Sequence, residues 1–454
     1  MSDNQPAAAP PAVREAMVHH YLFLARSLEN AAAVEKLPAS VWQAWQQGAL
    51  KHQQTWLGTG GTTPAAAQLP GVEVGRQQLY PPDQQPARWQ RGANEYAAFA
   101  FAQAAGDAVT IHLGYGRSGA ADAATWARLE AGVWFAPEPL PDSPFYLGQT
   151  ICYAGRAASA TDGRRQAEQL LPGVGGDLRL ASLPWGGWLY DRVGLPDRLA
   201  LFYPDDDAAE QAAGRFLNQV LPDLAVLVHK VSHQYSRIYW QRLRPQLEQR
   251  EQALSRVLLR GRALAQNLTG LEGQLGSIAA AYGHYAADLG QFAQAMQGVR
   301  INAANLEEEM GWLGLPPAGA LLAWRQGAAV AVAQMQADKA FYEATVQEAE
   351  VTLRTLQIQV DLQRGQIEAE ENRLTEWRNG WLAVIGILLA LGEYVDRELA
   401  YSLLCAVVTG MGRVCDPMDQ LPGLALPLLR VGIVAGVGLL LWGGVRLWRR
   451  AAAA

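Results

Sequence analysis

Two residues of the sequence have the types that nucleophilic catalysis by a cysteine requires. His112 in TIHLGYG and Cys152 in QTICYAG lie near the ends of predicted strands, and glycines follow both. A cysteine nucleophile needs a base within hydrogen-bond reach. One hypothesis is therefore a membrane-anchored cysteine hydrolase, and the other is a buried cysteine beside a strand histidine. We favour the second and assign no catalytic residue, because no His-Gly pair or compact cysteine-protease signature is present.

Metal and phosphate chemistry have weaker support. His229 and His233 share a helix face at i, i+4, which suits zinc, but no HExxH glutamate or third ligand accompanies them. Asp205, Asp206 and Asp207 precede a predicted helix, where negative charge favours a capping role. No GxxxxGK[ST] loop occurs. The sequence therefore predicts no metal and no cofactor.

Composition narrows the class of protein. The chain has 454 residues, more than one hydrophobic core usually organises, and it is 50% hydrophobic but only 18% charged. Soluble domains are about 25% charged, so the low value points to membrane-embedded segments. A net charge of −6 excludes the basic footprint of a nucleic-acid binder. Three cysteines are too few for a disulfide scaffold.

The N-terminal part of the chain is predicted to contain helices and a linker that precede a sheet domain. Residues 1–11 lack a basic and apolar leader, so we expect a disordered cytoplasmic tail. Residues 12–57 show helical spacing interrupted by Pro38, which predicts two helices, and residues 58–90 form a Gly, Thr and Pro-rich linker.

In residues 91–207 the spacing of apolar residues changes from the helical period to the alternation typical of strands. This pattern predicts an α+β domain with a mostly antiparallel sheet. One helix is expected at Thr161 to Leu171. The predicted strands are Tyr96 to Gln103, Val109 to Leu113, Phe145 to Tyr153, Gly187 to Val193 and Leu199 to Tyr203.

Residues 208–379 predict a long stalk, either a coiled coil or a helical bundle. Apolar residues at alternating steps of four and three indicate a coiled-coil seam. They are Leu264, Leu268, Leu271, Leu275, Ile278, Tyr282, Tyr285, Leu289, Phe292, Met296, Val299, Ala303, Leu306 and Met310.

A turn near residues 313–318 should reverse the chain, since Gly314, Pro316 and Pro317 break the helical pattern. The following helix should run from about Ala318 to Leu391, roughly 110 Å. Its predicted seam has strict seven-residue spacing at Val346, Leu353, Val360, Ile367 and Leu374. A third helix, formed from Asp223 to Arg260, should pack against this antiparallel hairpin.

Two C-terminal transmembrane helices are predicted, at residues 380–395 and 424–446. The connecting loop, residues 396–423, contains an interfacial or re-entrant piece from Leu399 to Met411, and residues 447–454 form a cytoplasmic tail. Arginines flank the outer ends of the two spans more often than the loop, which predicts a multi-pass inner-membrane protein with both termini in the cytoplasm. The flanking arginines are Arg364, Arg373, Arg378, Arg446, Arg449 and Arg450, against Arg397 and Arg413 in the loop.

Several membrane residues are candidates for packing or conduction. Gly432 and Gly436 form a GxxxG face for close helix packing. Glu393 and Asp396 could line a cation pathway in an oligomer, or could pair with Arg430 at the interface, and we favour the pairing. Cys405 and Cys415 would lie on the oxidising side or at its interface, where they could form a disulfide.

The layout resembles that of CorA-type divalent cation channels, which have a cytoplasmic α+β domain, stalk helices and two C-terminal spans. The Gly-Met-Asn signature of that family is absent, since Ala390-Leu391-Gly392-Glu393-Tyr394 occupies its place. The segments Trp188 to Arg192 and Leu199 to Pro204, followed by long helices and a membrane tail, are also similar to the caspase-and-TPR-repeat-associated proteins of bacterial conflict systems. That resemblance implies a non-enzymatic membrane component with a protease or signalling ATPase as partner.

Three functions follow from these patterns. The first is an oligomeric membrane effector or scaffold whose cytoplasmic domain senses a protein partner. The alternatives are a CorA-like channel and a membrane-anchored hydrolase. We favour the first, because no convincing catalytic set is present and a stalk can transmit a rearrangement to the spans.

Overall fold

A computed structural model gives the fold of the chain. It describes residues 13–30, 33–57, 76–78, 89–91, 94–105, 107–133, 143–173, 176–195, 197–264, 268–394, 397–410, 428, 431–433, 435–440 and 442–444. The chain divides into two units, one of residues 1–263 with 276–352 and one of residues 264–275 with 353–454.

A nine-stranded mixed sheet organises the first unit. Its order is β4-β6-β7-β1-β8-β11-β10-β9, with β5 also paired to β6, and the β8 and β11 pair is parallel while the other pairs are antiparallel. The prediction of a mostly antiparallel sheet is confirmed. The strands are β1 Val13–Ala25, β4 Arg76–Gln78, β5 Trp89–Arg91, β6 Asn94–Ala105, β7 Ala108–Ala121, β8 Tyr146–Arg156, β9 Leu178–Ser182, β10 Trp188–Arg192 and β11 Arg198–Tyr203, and a separate hairpin joins β2 Ser27–Asn30 to β3 Ala33–Lys36.

The first predicted helix is wrong, because Val13–Ala25 is the strand β1 at the middle of the sheet. Both faces of β1 are covered, and every residue from Val18 to Ala25 is buried. A strand buried on both faces has a continuous apolar run without alternation, so its spacing also fits a helix. The second predicted helix is present as α1, Ala39–Leu57.

Helices cover both faces of the sheet. One face packs on α1 and on α2 Ala123–Val133 and α3 Ala160–Leu170. Even-numbered β1 residues such as Leu22 and Leu24 join Trp42, Trp45 and Leu113 in this core. Helix α2 and strand β9 were not predicted from the sequence.

The opposite face packs on a continuous helical rod, Asp207–Leu264. The rod consists of α4 Asp207–Arg215, the π-helix π1 Phe216–Val220, α5 Leu221–Ser232, the π-helix π2 His233–Leu243 and α6 Arg244–Leu264. Tyr21 on β1 fixes the rod to the sheet, since its hydroxyl donates to the Leu217 carbonyl at 2.7 Å.

Farther along the chain, α7 Leu268–Trp312 and α8 Gly319–Tyr394 form an antiparallel hairpin. The predicted α7 seam is confirmed, because its seven-residue series is buried at Leu271, Ile278, Tyr285, Phe292, Val299 and Leu306. Of the predicted α8 seam, Val360 is buried and Val346 and Leu353 are half-buried, whereas Ile367 and Leu374 are exposed. The most buried α8 positions of the first unit form a neighbouring series on the same face, since Tyr342 and Ala349 lie four residues before Val346 and Leu353.

The predicted third helix is the rod itself. The ring of Tyr239 on π2 lies 4.9 Å from that of Phe292 on α7, and the Tyr239 hydroxyl donates to Asp338 on α8. Within the hairpin, Tyr285 donates to the Tyr342 carbonyl at 3.2 Å and Tyr282 to Glu350 at 2.7 Å. These contacts define a three-helix bundle.

The hairpin turn returns to the sheet. Gly319, at the start of α8, has a φ of +54°, and a Cβ atom there would lie 2.9 Å from the backbone of Leu180 and Ala181 on the edge strand β9. Only glycine allows this conformation and this close approach without strain.

The second unit contains the rest of α8 and α9 Arg397–Gly410. Within it, Arg364 pairs with Glu272 at 2.6 Å, and Trp377 and Trp381 form an edge-to-face pair with ring centroids 5.9 Å apart. Of the helices in the part of the chain that the structure describes, none is long and apolar enough to cross a membrane.

Candidate functional site

The proposed cysteine and histidine pair is not assembled for catalysis. Strand β1 separates β7 from β8, and Cys152 pairs in register with His19 rather than with His112. His112 Nε2 lies 2.9 Å from His19 Nδ1, while the Cys152 thiol donates to the Tyr153 carbonyl at 3.7 Å. Cys152 is fully buried, and burial raises the pKa of its thiol far above the ordinary value. A buried, protonated thiol is not a nucleophile.

The second histidine pair lies in the interface between the sheet and the rod. His229 is 2.9 Å from the Thr150 hydroxyl, and its ring lies 5.0 Å from that of Phe23. Burial lowers the pKa of His229 to about 4, and burial with the nearby Arg237 charge lowers that of His233 to about 4. Among the described residues, no group of three or more His, Cys, Asp or Glu side chains has metal-binding geometry.

The predicted capping aspartates lie at the start of α4. Asp206 is the N-cap, and its carboxylate accepts from the Ala209 N–H at 2.8 Å. Asp205 instead pairs with Arg156 at the end of β8, at 2.9 Å. The capping prediction is confirmed for Asp206.

The first unit contains a cleft of about 1380 Å³. Three parts of the fold enclose it: the turns at one end of the sheet, the rod and α7. The lining includes Ser27, Gln103, Asp107, Pro144, Leu147, Asp223, Val226, Lys230, Gln291, Gln294, Gln297, Asn302, Asn305, Glu308, Glu309 and Trp312.

The π-helix π2 forms a large part of one cleft wall. It contributes His233, Gln234, Arg237, Ile238, Arg242 and Leu243. A π-helix bonds each N–H to the fifth residue back, and such segments are rare and frequently occur at functional sites. Tyr239 of π2 also contacts α7 and α8, so the same helical segment lines the cleft and packs in the three-helix bundle.

Charges in the cleft are unevenly distributed. Asp107 pairs with Lys230 near the sheet turns. Asp223 accepts from Gln103 at 3.4 Å, and burial together with the Glu309 charge raises the pKa of Asp223 to about 6. The end of the cleft near Asp223 and Glu309 is therefore acidic.

The part of the lining that α7 contributes is rich in side-chain amides. They are Gln291, Gln294, Gln297, Asn302 and Asn305, and each can both donate and accept. Trp312 at the rim is 85% exposed. The volume of the cleft exceeds the roughly 300–1,000 Å³ that is typical of small-molecule pockets.

Sequence reasoning did not find this cleft, because its residues come from distant parts of the chain. The three-residue repeat of glutamines in α7 was the available signal: a polar stripe adjoining the seam. The π-helix has no comparable sequence pattern.

The membrane candidates are only partly described. Glu393 lies in the last turn of α8, and Gly432 and Gly436 are helical with open space around both. Asp396, Arg430 and Cys415 lie outside the described residues. Cys405 is disulfide-bonded, and its pairing with Cys415 stays a prediction.

Comparison with known proteins gives no assignment. No protein-family model, curated protein or solved structure matches the chain.

Proposed function

We propose that the protein is an oligomeric inner-membrane effector or scaffold whose cytoplasmic sheet domain binds a protein partner in the cleft. The observation that carries this proposal is the wall of the cleft, where π2 and α7 belong to the stalk and the opposite turns belong to the sheet domain. A partner bound in the cleft contacts both the stalk and the sheet domain. Its binding energy can therefore favour one packing of the stalk over another.

The membrane part of the proposal is supported by the sequence and by three features of the structure. Helix α8 extends from the bundle into the apolar stretch from Trp381 to Leu391. Trp377 and Trp381 lie at the start of this stretch, as aromatic residues do at membrane interfaces. The disulfide at Cys405 fits an oxidising compartment beyond the first span. The resemblance to conflict-system proteins makes a protease or signalling ATPase the partner we expect.

Membrane attachment is tested by sodium carbonate extraction of cell membranes. We expect the full chain to remain in the pellet and a chain ending at Arg378 to be soluble. Release of the full chain by carbonate would contradict the membrane part of the proposal.

Partner binding is tested by photo-crosslinking in the producing cells. A benzophenone amino acid replaces Asn305 in the cleft, and the matched control replaces His284 on an exposed face of α7. We expect one discrete adduct from position 305 alone, with slower hydrogen exchange in His233–Leu243 of the adduct. Equal adducts from both positions, or none, would reject the cleft as the partner site.

A further inference from the structure

The rod and α7 run antiparallel along the cleft. The Asn302 amide donates to the Gln234 side chain at 3.4 Å. Farther along, Glu309 lies close enough to Asp223 for the Glu309 charge to raise the pKa of Asp223. Later positions of α7 therefore face earlier positions of the rod, and the cleft has two distinct ends.

The two ends of the cleft carry opposite charge. The acidic end consists of Asp223 on the rod with Glu308 and Glu309 on α7. The basic end contains Arg237 and Arg242, both from π2. The cleft is therefore dipolar along its length.

The middle of the cleft offers hydrogen-bonding groups without net charge. The lining residues of α7 from Gln291 to Asn305 are five side-chain amides, an alanine, a glycine and Ile301, which is 49% exposed. On the rod, Lys230 is neutralised by its ion pair with Asp107. A ligand that spans the cleft thus meets opposite charges at its two ends and neutral groups between them.

The charges at the two ends differ from the charges beside them. Among the residues that the structure describes, Glu308, Glu309 and Arg242 form no ion pair. The adjacent Glu307, which does not line the cleft, pairs with Arg325 on α8. A bound segment with the opposite order of charges would supply partners at both ends of the cleft, and such complementarity gives specificity.

We propose that the cleft binds an extended segment of the protein partner, with a lysine or arginine at the Asp223 and Glu309 end and an aspartate or glutamate at the Arg242 end. This inference rests on the proposed function and specifies the chemistry of the partner. An extended backbone has N–H and C=O groups that need partners, and the side-chain amides of α7 can donate to and accept from them. A helical segment satisfies most of these groups itself.

The length of the cleft determines the length of the segment. Gln291 and Glu308 are about 17 residues apart on α7, which is about 26 Å at 1.5 Å per residue. An extended strand rises about 3.3 Å per residue. The segment therefore has about eight residues, with its opposite charges near the two ends.

The first test maps the partner segment by photo-crosslinking of the full chain in the producing cells. A benzophenone amino acid replaces Asn305, near the acidic end, or Gln294, nearer the basic end, and mass spectrometry identifies the crosslinked residues. The two positions are about 16 Å apart, which corresponds to about five residues of extended chain or about eleven residues of helix. We expect both positions to crosslink to one segment of one protein, about five residues apart, with a basic residue beside the first crosslink and an acidic residue beside the second.

Several results of this mapping would overturn the proposal. They are an offset of about eleven residues, the opposite order of charges in the segment, the absence of an adduct from position 294, and an adduct that a nuclease removes.

The second test reverses single charges in the cleft. Glu309→Lys and Arg242→Glu should each reduce the adduct from position 305 about tenfold or more, because like charges then meet at one end of the segment. The matched control Glu370→Lys, at an exposed position of α8 outside the cleft lining, should leave the adduct unchanged. Glu309 and Arg242 are exposed, so all three variants should keep the circular dichroism of the parent.

A compensating change in the partner completes this test. Replacement of the mapped basic residue of the partner by glutamate should restore the adduct with Glu309→Lys. An adduct that is insensitive to both charge reversals, or that the compensating change does not restore, would overturn the proposal.

The inference and the proposed function fail separately. No adduct from position 305, or equal adducts from position 305 and the His284 control, rejects the cleft as the partner site and this inference with it. A discrete adduct from position 305 that tolerates both charge reversals keeps the cleft as the partner site and rejects only the charged, extended segment.

Discussion

At the scale of single residues, the interface between sheet and rod contains polar groups that burial holds in their neutral forms. The Cys152 thiol and the imidazoles of His229 and His233 are buried there. Charging any of them without a partner costs several kcal/mol. These groups therefore report on the integrity of the interface.

Cys152 should not react with alkylating reagents in the folded protein. Its thiol is fully buried and its pKa is raised by burial, so almost no thiolate is accessible at neutral pH. Iodoacetamide treatment followed by mass spectrometry of the Cys152 peptide checks this, with urea-unfolded protein as the control. Rapid alkylation in the folded state would return the hydrolase hypothesis to consideration.

The free energy of unfolding should decrease as the pH falls from 6.5 to 4. The folded-state pKa of His229 is lowered to about 4 from an ordinary 6.5, so the unfolded chain binds the proton more tightly within this window. Stability from this group is complete above pH 6.5 and is lost towards pH 4, by about 3 kcal/mol.

Urea titrations at several pH values measure this dependence. His229→Gln should show a smaller decrease than the parent, and His284→Gln, at an exposed position of α7, should behave as the parent. Asp223 has a raised pKa and contributes with the opposite sign, but it is present in all three proteins, so its contribution cancels. A parent and His229→Gln with equal slopes would contradict the assignment.

At the scale of elements, two glycines have opposite roles. Gly319 has a positive φ and touches the backbone of β9, whereas Gly283 lies inside α7 with open space around it. Glycine is required at position 319 by the backbone conformation, whereas Gly283 only lowers the stability of helix α7.

Gly319→Ala should therefore lower the free energy of unfolding by about 2 kcal/mol, through left-handed strain and contact with Leu180 and Ala181. Gly283→Ala should raise it by about 0.5–1 kcal/mol, because alanine is the better helix former. Thermal unfolding of both variants beside the parent gives the comparison. A neutral Gly319→Ala would show that the hairpin turn is not held on the sheet.

Elements with one dominant period were predictable from the sequence, and elements with two buried faces were not. The α7 seam has large apolar residues at regular steps, and its seven-residue series is buried in the structure. Strand β1 lacks this contrast, because its residues from Val18 to Ala25 are buried on both faces of the sheet. The cleft depends on contacts between residues such as Gln103 and Asp223, whose separation in sequence gives no local signal.

At the scale of the whole molecule, we expect both chain ends in the cytoplasm. Six arginines near the outer ends of the proposed spans, against two in the loop, determine this orientation. A Ser2→Cys probe should resist an impermeant maleimide in intact cells and react after lysis, whereas a cysteine replacing Asp419 in the loop should react in intact cells. The reverse pattern would invert the topology.

The contact between Gly319 and β9 also bears on synthesis of the chain. Strand β9 is the edge of the sheet, and an uncovered edge can pair with strands of other chains. About 140 residues separate the end of β9 from Gly319. At about 5–20 residues per second, a ribosome needs roughly 7–28 s to complete that interval. During this time a nascent sheet domain has an edge that the finished hairpin later covers, so crowded polysomes are where this protein is most exposed to strand-mediated aggregation.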